Sequence, residues 1–418
     1  MTRMVAAVLL SSLALAGCGG SGDGAGGAPT LRWFIFNEPS GVLETVASRC
    51  ATEADGRYAI EFQYLPATAD QQREQLVRRL GAKDDSIDLM GLDVVWTGEF
   101  ANAGWLEPVP ERRRDRLTRE VFESVLETAQ VDGELYAVPI WSNTQLLWYR
   151  KDRVDAPPSA WDEMLEQARR LGARGGIRVQ ANRYEGLVVW ANAMIESAGT
   201  SILSSPKEIA LDREDTMPAL ATMARVARSG AAAAGIDTST EDSARLGFES
   251  GDASFMVNYP FAFPSARANA PQVFRNMAAA KYPRVRSSVE SKPPLGGINL
   301  GVSRFSRHKD LAFEAIECLV APGNQLAIAR EGGLPPVRAD VFDRPEIEEI
   351  YPGFASLVAE SIQDAAARPA ESAAYQDLSL AIQRALHPVT AIDPDDPDAA
   401  YRRLRARVLQ AIERRGLL

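Results

Sequence analysis

The order of apolar runs and amphipathic helices constrains the fold of this chain more than any other feature of its sequence. Buried-strand patterns occupy residues 31–36, 58–65 and 87–92, and residues 42–50 and 69–81 between them have helical spacing. Strands that succeed one another through helices pair in parallel, and a parallel sheet is covered on both faces. The sequence therefore predicts an α/β fold built on an open parallel sheet.

Chain length adds a second constraint, because 418 residues exceed what one simple hydrophobic core holds. The stretch 131–150 contains a turn, a strand interrupted at Pro139, small polar side chains up to Asn143, and a further strand. It predicts either a crossing between two lobes at a ligand cleft or an ordinary hairpin. A glycine-rich strand at 296–302 predicts a second crossing. We expect one lobe to comprise residues 31–142 and 298–342, and the other to comprise residues 143–297 and 343–418.

The N-terminus has the pattern of a secreted lipoprotein. Arg3 precedes an apolar run over residues 5–16 that is too short to span a bilayer. The run ends in Leu-Ala-Gly-Cys at Cys18, which resembles the lipobox at which a signal peptide is removed and the cysteine is lipidated. We predict a signal peptide over residues 1–17, lipidation of Cys18, a flexible tether to residue 30, and anchoring to the extracytoplasmic face of the cell membrane. An accidental cysteine in a hydrophobic leader is the alternative.

The remaining cysteines are Cys50 and Cys318, and each falls late in a predicted helix. An even pair in an oxidising compartment predicts a disulfide. Two buried free thiols are the alternative.

Polar side chains follow two of the predicted parallel strands. Asn37 and Glu38 come directly after the strand at 31–36, and Asp93 comes after the strand at 87–92. Open α/β sheets bind ligands at the carboxyl ends of their strands, so these three residues are candidate ligand contacts. Capping of the helices that follow is the alternative at each position.

The second half of the chain contains further candidates. Glu241 begins a predicted helix, and Tyr259 follows the strand at 253–257 just before a proline, which is typical of a cleft rim. Tyr184 and Trp190 belong to another helical region and could also face a ligand. An aromatic side chain on an apolar helix, however, more often belongs to the core.

Two breaks in the helical C-terminal part supply the last candidates. Gly332 and Gly333 precede Leu334, and paired glycines permit positive φ and a close backbone approach to a ligand. Arg368 stands before a proline at a break between helices, where a polar side chain can reach into a cleft. We expect alanine at Asp93 or Arg368 to abolish ligand binding and to leave the fold intact.

The chain lacks the sequence motifs of several enzyme classes. It has two histidines without metal-ligand spacing, no nucleophile elbow and no phosphate-binding glycine loop. Its net charge of −10 argues against nucleic acid as the main partner. A glycosidase pair of carboxylates stays open, because sequence does not give their separation. We predict ligand binding without catalysis and without a metal or cofactor.

Several segments of the chain recur, in the same order, in one known family. Besides the lipobox, they are LDVVWTGEFANAGWLEPV, DGELYAVPIWSNTQLLWYRKD, PPSAWDEMLEQARRLG, GDASFMVNYPF, GGINLGVSRFSRHKDLAFEAIECL and EGGLPPVR. On these segments the chain resembles the family 1 extracellular solute-binding proteins, which are the carbohydrate receptors of ABC importers. NTQLLWYR and EGLVVW, in particular, are similar to the trehalose-binding lipoproteins of the mycobacterial trehalose-recycling importers.

The resemblance implies a periplasmic-binding-protein-like (type II) α/β fold, with two lobes joined by a hinge and a ligand cleft between them. It also implies a monomer that delivers a disaccharide, trehalose above others, to the permease subunits of an ABC importer. Another oligosaccharide or sugar derivative is the alternative ligand. By the same resemblance the sugar site comprises Asn37, Glu38, Asp93, Asn143, Glu241, Tyr259, Gly333, Leu334 and Arg368. The sequence departs from the mycobacterial pattern at Tyr259, where those proteins have tryptophan.

Overall fold

The structure is a computed structural model that describes residues 28–372 and 374–413. The predicted signal peptide, the predicted lipidation site Cys18 and most of the predicted tether lie outside these residues. Within the described part of the chain, no helix is both long enough and apolar enough to cross a membrane.

The strands form two larger sheets and two short hairpins. They are β1 (Thr30–Phe36), β2 (Ala59–Leu65), β3 (Leu89–Asp93), β4 (Gln130–Val131), β5 (Glu134–Leu135), β6 (Ala137–Thr144), β7 (Leu146–Arg150), β8 (Gly176–Arg178), β9 (Leu203–Ser205), β10 (Glu208–Ile209), β11 (Ala253–Asn258), β12 (Met277–Ala280) and β13 (Leu295–Val302).

Helices cover both larger sheets. They are α1 (Val42–Glu53), α2 (Ala69–Gly81), α3 (Thr97–Asn102), α4 (Glu111–Thr118), α5 (Glu123–Glu127), α6 (Trp161–Leu171), α7 (Glu185–Glu196), α8 (Arg213–Arg228), α9 (Glu241–Glu249), α10 (Ala262–Asn269), α11 (Pro271–Phe274), α12 (Lys309–Leu319), α13 (Pro322–Gly332), α14 (Ala339–Phe342), α15 (Pro345–Ile350), α16 (Ala355–Gln363), α17 (Tyr375–Leu386) and α18 (Asp398–Ile412). Short 3₁₀ turns occur at Gly172–Arg174, Ile236–Thr238 and Val389–Ala391.

The first sheet has the strand order β2-β1-β3-β13-β6. β1 pairs in parallel with β2 and β3, whereas β13 runs antiparallel to β3 and β6. Trp33 and Ile35 of β1 enter one hydrophobic core, and Phe34 enters the core on the opposite face. Burial on both faces explains why β1 is a continuous apolar run, and the predicted order of parallel strands and helices in this region is confirmed.

The second sheet has the strand order β12-β7-β11-β8. β11 is antiparallel to β7 and parallel to β8, and β12 is antiparallel to β7. Side chains of α6, α7, α8, α17 and α18 share one core on this sheet. Nearly every residue of α7 is buried, so this helix lies inside the unit and not on its surface.

The chain passes from the first sheet to the second at Gln145, which separates β6 from β7. β6 is an edge strand, and its register against β13 shifts between Pro139 and Trp141, as expected for a residue without an N–H donor. Of the two outcomes expected at Pro139, pairing that stops there or a strand that runs along an edge, the structure shows the second, because β6 is an edge strand and pairs with β13 as far as Thr144. The predicted second crossing at 296–302 is displaced, since β13 pairs within the first sheet from Leu295 onward.

A disulfide joins Cys50 in α1 to Cys318 in α12, with the two Cα atoms 5.8 Å apart. Both helices contribute to the same core of the first sheet. The bond therefore connects elements that lie 268 residues apart in sequence but side by side in the fold.

Candidate functional site

Arg368 forms hydrogen bonds to both sheet units. It lies between α16 and α17, and its side chain is only 3% exposed. Nη2 donates to Asp93 Oδ1 at 3.0 Å, and Nη1 donates to Glu185 Oε1 at 2.6 Å. Asp93 ends β3 of the first sheet, whereas Glu185 begins α7 in the core of the second. Charge-assisted hydrogen bonds thus join groups from both units at one point.

The charges of this group depend on one another. Burial by itself lowers the pKa of Arg368, but the carboxylates of Asp93 and Glu185 outweigh that effect and hold its pKa well above the ordinary value. Burial raises the pKa of Glu185, and Arg368 together with hydrogen bonds from Ser379 and Tyr375 opposes the rise. Removing one partner would therefore leave a buried charge uncompensated.

Glu185 is a member of the site that sequence reasoning missed. Its carboxylate accepts hydrogen bonds from Ser379 Oγ at 2.5 Å and from the hydroxyl of Tyr375, both on α17. One signal was available in the sequence: Glu185 begins a helix whose remaining residues, GLVVWANAMI, are almost entirely apolar. A carboxylate in such a position requires a buried partner, although the sequence does not say which.

A second set of polar groups surrounds β11. Glu241, the first residue of α9, accepts a hydrogen bond from the hydroxyl of Tyr184 at 2.5 Å. Buried Asn258 donates to the backbone oxygen of Glu241 at 3.0 Å and accepts from the Tyr259 N–H at 2.9 Å. Asn258, also missed from sequence, therefore holds Glu241 and Tyr259 at fixed positions.

Tyr259 lies within electrostatic reach of both sets. Burial raises its pKa, the carboxylate of Glu241 raises it further, and Arg368 lowers it. Burial likewise raises the pKa of Glu241, which the hydrogen bond from Tyr184 partly offsets. We call the combined set the polar cluster; its members are Asp93, Tyr184, Glu185, Glu241, Tyr259 and Arg368.

Asn143 borders the polar cluster through Gly296. A Cβ added at Gly296 would lie 3.5 Å from the Asn143 Cβ and 3.9 Å from a ring carbon of Tyr259. Asn143 Oδ1 and Arg368 Nε are buried and bond to no group in the described part of the chain. Buried polar atoms are nearly always hydrogen-bonded in native proteins, so these two atoms have the capacity to bind a polar ligand.

Gly333 and Leu334 close another side of this region. Gly333 follows α13 with φ +66°, and its N–H bonds to the carbonyl of Ala329. A Cβ at Gly333 would lie 2.6 Å from Pro264 Cγ and 3.0 Å from the Cα of Phe261. Gly333 therefore contacts the segment that follows Tyr259, while Leu334 packs in a core of the first sheet.

Asn37 and Glu38 lie in the turn between β1 and α1. Asn37 is exposed, and the Glu38 carboxylate accepts hydrogen bonds from the N–H and hydroxyl of Ser40 in its own turn. Within the described residues, this turn adjoins α13, because a Cβ at Gly332 would lie 3.5 Å from Ser40 Oγ. Among the described residues, the hydrogen bonds of the Arg368 side chain go to Asp93 and Glu185 and not to Asn37 or Glu38.

For three candidate residues, the structure distinguishes a role in the polar cluster from a role in helix capping or in the core. Asp93 does not cap α3, which begins at Thr97 after Trp96; its carboxylate accepts instead from the Val95 N–H and from Arg368. Trp190 is a core residue, whereas Tyr184 belongs to the polar cluster.

The protein has surface cavities outside the polar cluster. Two of them, of about 280 and 350 Å³, lie beside Lys292 and Arg153 respectively, away from the polar cluster. The described residues also contain no group of three or more His, Cys, Asp or Glu arranged to hold a metal ion. The candidate site is defined by its polar groups.

Comparison with known proteins identifies the family. The model of the bacterial extracellular solute-binding proteins matches residues 46–353, well over half of the chain. The protein belongs to this family. Membership places this solute-binding protein outside the cytoplasm, and its relatives and fold are those of binding proteins and not of enzymes.

Individual relatives agree with the fold. The chain is similar to a "Probable ABC transporter-binding protein" of Deinococcus radiodurans, with 25% identity over 348 residues that cover 79% of this chain and 81% of the relative. It is 27% identical over 285 residues to a maltotriose-binding protein of Pyrococcus abyssi, covering 63% of this chain and 58% of that protein. The maltose-bound MalE3 of T. maritima superposes with a TM-score of 0.84 and 26% identity, over 91% of this chain and 99% of that one. The predicted periplasmic-binding-protein-like α/β fold is confirmed.

Proposed function

We propose that this solute-binding protein is a lipid-anchored receptor that captures a disaccharide, trehalose above others, and delivers it to the permease subunits of an ABC importer. Sugar binding is supported by two relatives, one maltose-bound and one named as a maltotriose-binding protein. The observation that carries the proposal is the polar cluster, in which Arg368 bonds to Asp93 and Glu185, groups that come from different sheet units.

The chemistry of this cluster matches a sugar. Sugars present adjacent hydroxyl groups, which planar carboxylate, amide and guanidinium groups bind in pairs, and apolar C–H faces, which pack on aromatic rings. Asp93, Glu241, Asn143 and Arg368 supply the planar groups, and Tyr259 supplies a ring. Asn37, Glu38, Gly333 and Leu334 belong to the proposed site as its outer members.

Two lobes would enclose the ligand. We propose that residues 31–142 with 298–342 form one lobe and residues 143–297 with 343–418 form the other; the first sheet extends slightly past these bounds, to Thr144 of β6 and to Leu295 of β13. Hinge bending about the segments between the two sheets would bring Asp93 and Arg368 together around the sugar. The closed form then presents a surface that the permease distinguishes from the open form.

Calorimetric titration of the soluble chain from Gly19 onward tests the proposal, with trehalose as ligand and maltose and glucose as controls. Saturable trehalose binding with weaker maltose binding is expected. No binding of any of the three sugars by a folded protein would contradict the disaccharide assignment. Tighter binding of maltose would contradict the preference for trehalose alone.

The maltotriose-binding relative favours a longer oligosaccharide as the second candidate ligand. A thermal-shift screen of sugars separates the two, because a ligand at about 100 times its Kd stabilises the folded state by about 2.7 kcal/mol. A larger shift with maltotriose than with trehalose at equal concentration would support the longer sugar.

The lipid anchor has its own test. Cells grown with an alkyne-bearing fatty acid are expected to label the wild-type protein and not the Cys18→Ser variant, because Cys18 is the proposed acceptor thiol. The variant Cys50→Ser/Cys318→Ser is the control and should label like wild type. Labelling of Cys18→Ser would exclude this residue as the site of lipidation.

Gly333→Ala is expected to weaken sugar binding by roughly 10-fold or more, because the new Cβ meets Pro264 and Phe261 and holds the proposed lobes apart. Gly353→Ala is a matched control: its φ of +75° carries a similar backbone strain, but nothing lies within 4 Å of the added Cβ. Titration calorimetry on both variants separates the effect of the steric contact at Gly333 from the effect of backbone strain at a positive φ. Equal losses of affinity in both would contradict a role for Gly333 in closure.

A further inference from the structure

We propose that Glu185 is a positioning residue that holds the Arg368 guanidinium in its ligand-binding orientation without touching the ligand itself. This inference rests on the proposed sugar-binding function and extends it to a residue outside the expected sugar contacts.

A continuous chain of buried hydrogen bonds supports the proposal. Gln383 Nε2 donates to Ser379 Oγ at 3.0 Å, Ser379 Oγ donates to Glu185 Oε2 at 2.5 Å, and Arg368 Nη1 donates to Glu185 Oε1 at 2.6 Å. All four side chains are buried. These bonds link the Arg368 guanidinium to the buried side chains of α17 through Glu185, the first residue of α7. They fix the orientation of the guanidinium.

The carboxylate of Glu185 accepts three hydrogen bonds from the protein itself. Oε1 accepts from Arg368 and from the Tyr375 hydroxyl, and Oε2 accepts from Ser379. Arg368 Nε, by contrast, is buried and bonds to no group among the described residues. We therefore assign the ligand contact to Arg368. Glu185 bonds to Arg368 and orients its guanidinium.

Two carboxylates are needed to define the guanidinium plane. The single bond from Nη2 to Asp93 leaves the planar fork free to rotate about that contact, and the second bond from Nη1 to Glu185 removes this freedom. Asp93 belongs to the other proposed lobe and separates from Arg368 when the lobes open. Glu185 stays with Arg368, so it preserves the binding orientation before the ligand arrives and reduces the entropic cost of capture.

Glu185→Gln tests the role, with Glu196→Gln as the matched control. Glu196 ends the same helix, and burial raises its pKa as it does that of Glu185, but it bonds to Ser201 and not to Arg368. Glu185→Gln is expected to raise the Kd for trehalose roughly 10-fold, while Glu196→Gln stays within about 2-fold of wild type. Ser379→Ala, a milder change, should shift the Kd in the same direction by a smaller factor.

A spectroscopic signature separates positioning from general damage to the fold. The Nε–Hε resonance of Arg368, assigned by its loss in Arg368→Lys, is expected to shift or broaden in Glu185→Gln and Ser379→Ala but not in Glu196→Gln. An unchanged resonance in a folded Glu185→Gln protein would overturn the proposal, as would equal affinity losses in Glu185→Gln and Glu196→Gln. Because the resonance is observed without sugar, a wild-type protein that binds no sugar would refute the proposed function alone.

Discussion

Replacement of Arg368 by methionine is expected to destabilise the folded state by about 3–5 kcal/mol and to abolish sugar binding. The cost arises because Asp93 and Glu185 then lose the cation that compensates their charges, and Glu185 is buried. Urea denaturation followed by circular dichroism measures the loss of stability. Sequence reasoning alone expected the fold to survive loss of this side chain, and the burial of Arg368 changes that expectation.

Two further variants establish the cause. The double variant Glu185→Gln/Arg368→Met removes one of the two carboxylates that lose their cation in Arg368→Met. It should therefore recover part of the stability that Arg368→Met loses. Arg225→Met, which breaks the exposed ion pair with Asp162, is expected to cost no more than about 1 kcal/mol. Equal losses in the free energy of unfolding for Arg225→Met and Arg368→Met would show that the buried ion pairs of Arg368 contribute no more to stability than an exposed one.

Asp93→Asn is expected to weaken sugar binding by about 1.5–3 kcal/mol, or roughly 10- to 150-fold in Kd, while the protein stays folded. The amide keeps the size of the side chain but loses the charge that strengthens hydrogen bonds to sugar hydroxyls and to Arg368. Arg368 retains Glu185 as a counter-charge in this variant. Titration calorimetry gives the affinity, and thermal melting verifies the fold.

Asp84→Asn is the control for this substitution. Asp84 also forms an ion pair, with Arg79 at 2.7 Å, and its side chain is 23% exposed, compared with 21% for Asp93. It lies at the opposite end of β3, before the strand and not after it. Wild-type affinity in Asp84→Asn with strong loss in Asp93→Asn is expected; undiminished binding in Asp93→Asn would remove Asp93 from the proposed site.

The N-terminal half of the fold could be predicted because its signals are local. The apolar run of β1, the helical spacing of α1 and α2, and the polar residue at the end of β3 follow from side-chain periodicity over a few residues. The break between α16 and α17 at Arg368 was likewise visible from the proline that follows it.

Strand pairing was harder to predict from the sequence. The sequence left open whether pairing stops at Pro139 or continues along a sheet edge, and Trp141 and Asn143 remain in the edge strand β6 because β13 lies alongside. β13 is more than 150 residues away in sequence, and no local pattern near Pro139 reports the presence of such a partner. The position at which the chain passes between the sheets, Gln145, is consequently set by tertiary packing and not by a local sequence pattern.

Local sequence patterns predicted the class of fold, the candidate leader with Cys18, and most of the charged and aromatic residues of the polar cluster. Tertiary structure decided which of them meet. Arg368 bonds to Asp93 across 275 positions and to Glu185 across 183, whereas Glu38, although it also follows a parallel strand, bonds to Ser40 in its own turn. The physical reason is that periodicity encodes which face of an element is buried, whereas the pairing of buried charges depends on the distances between elements that only packing sets.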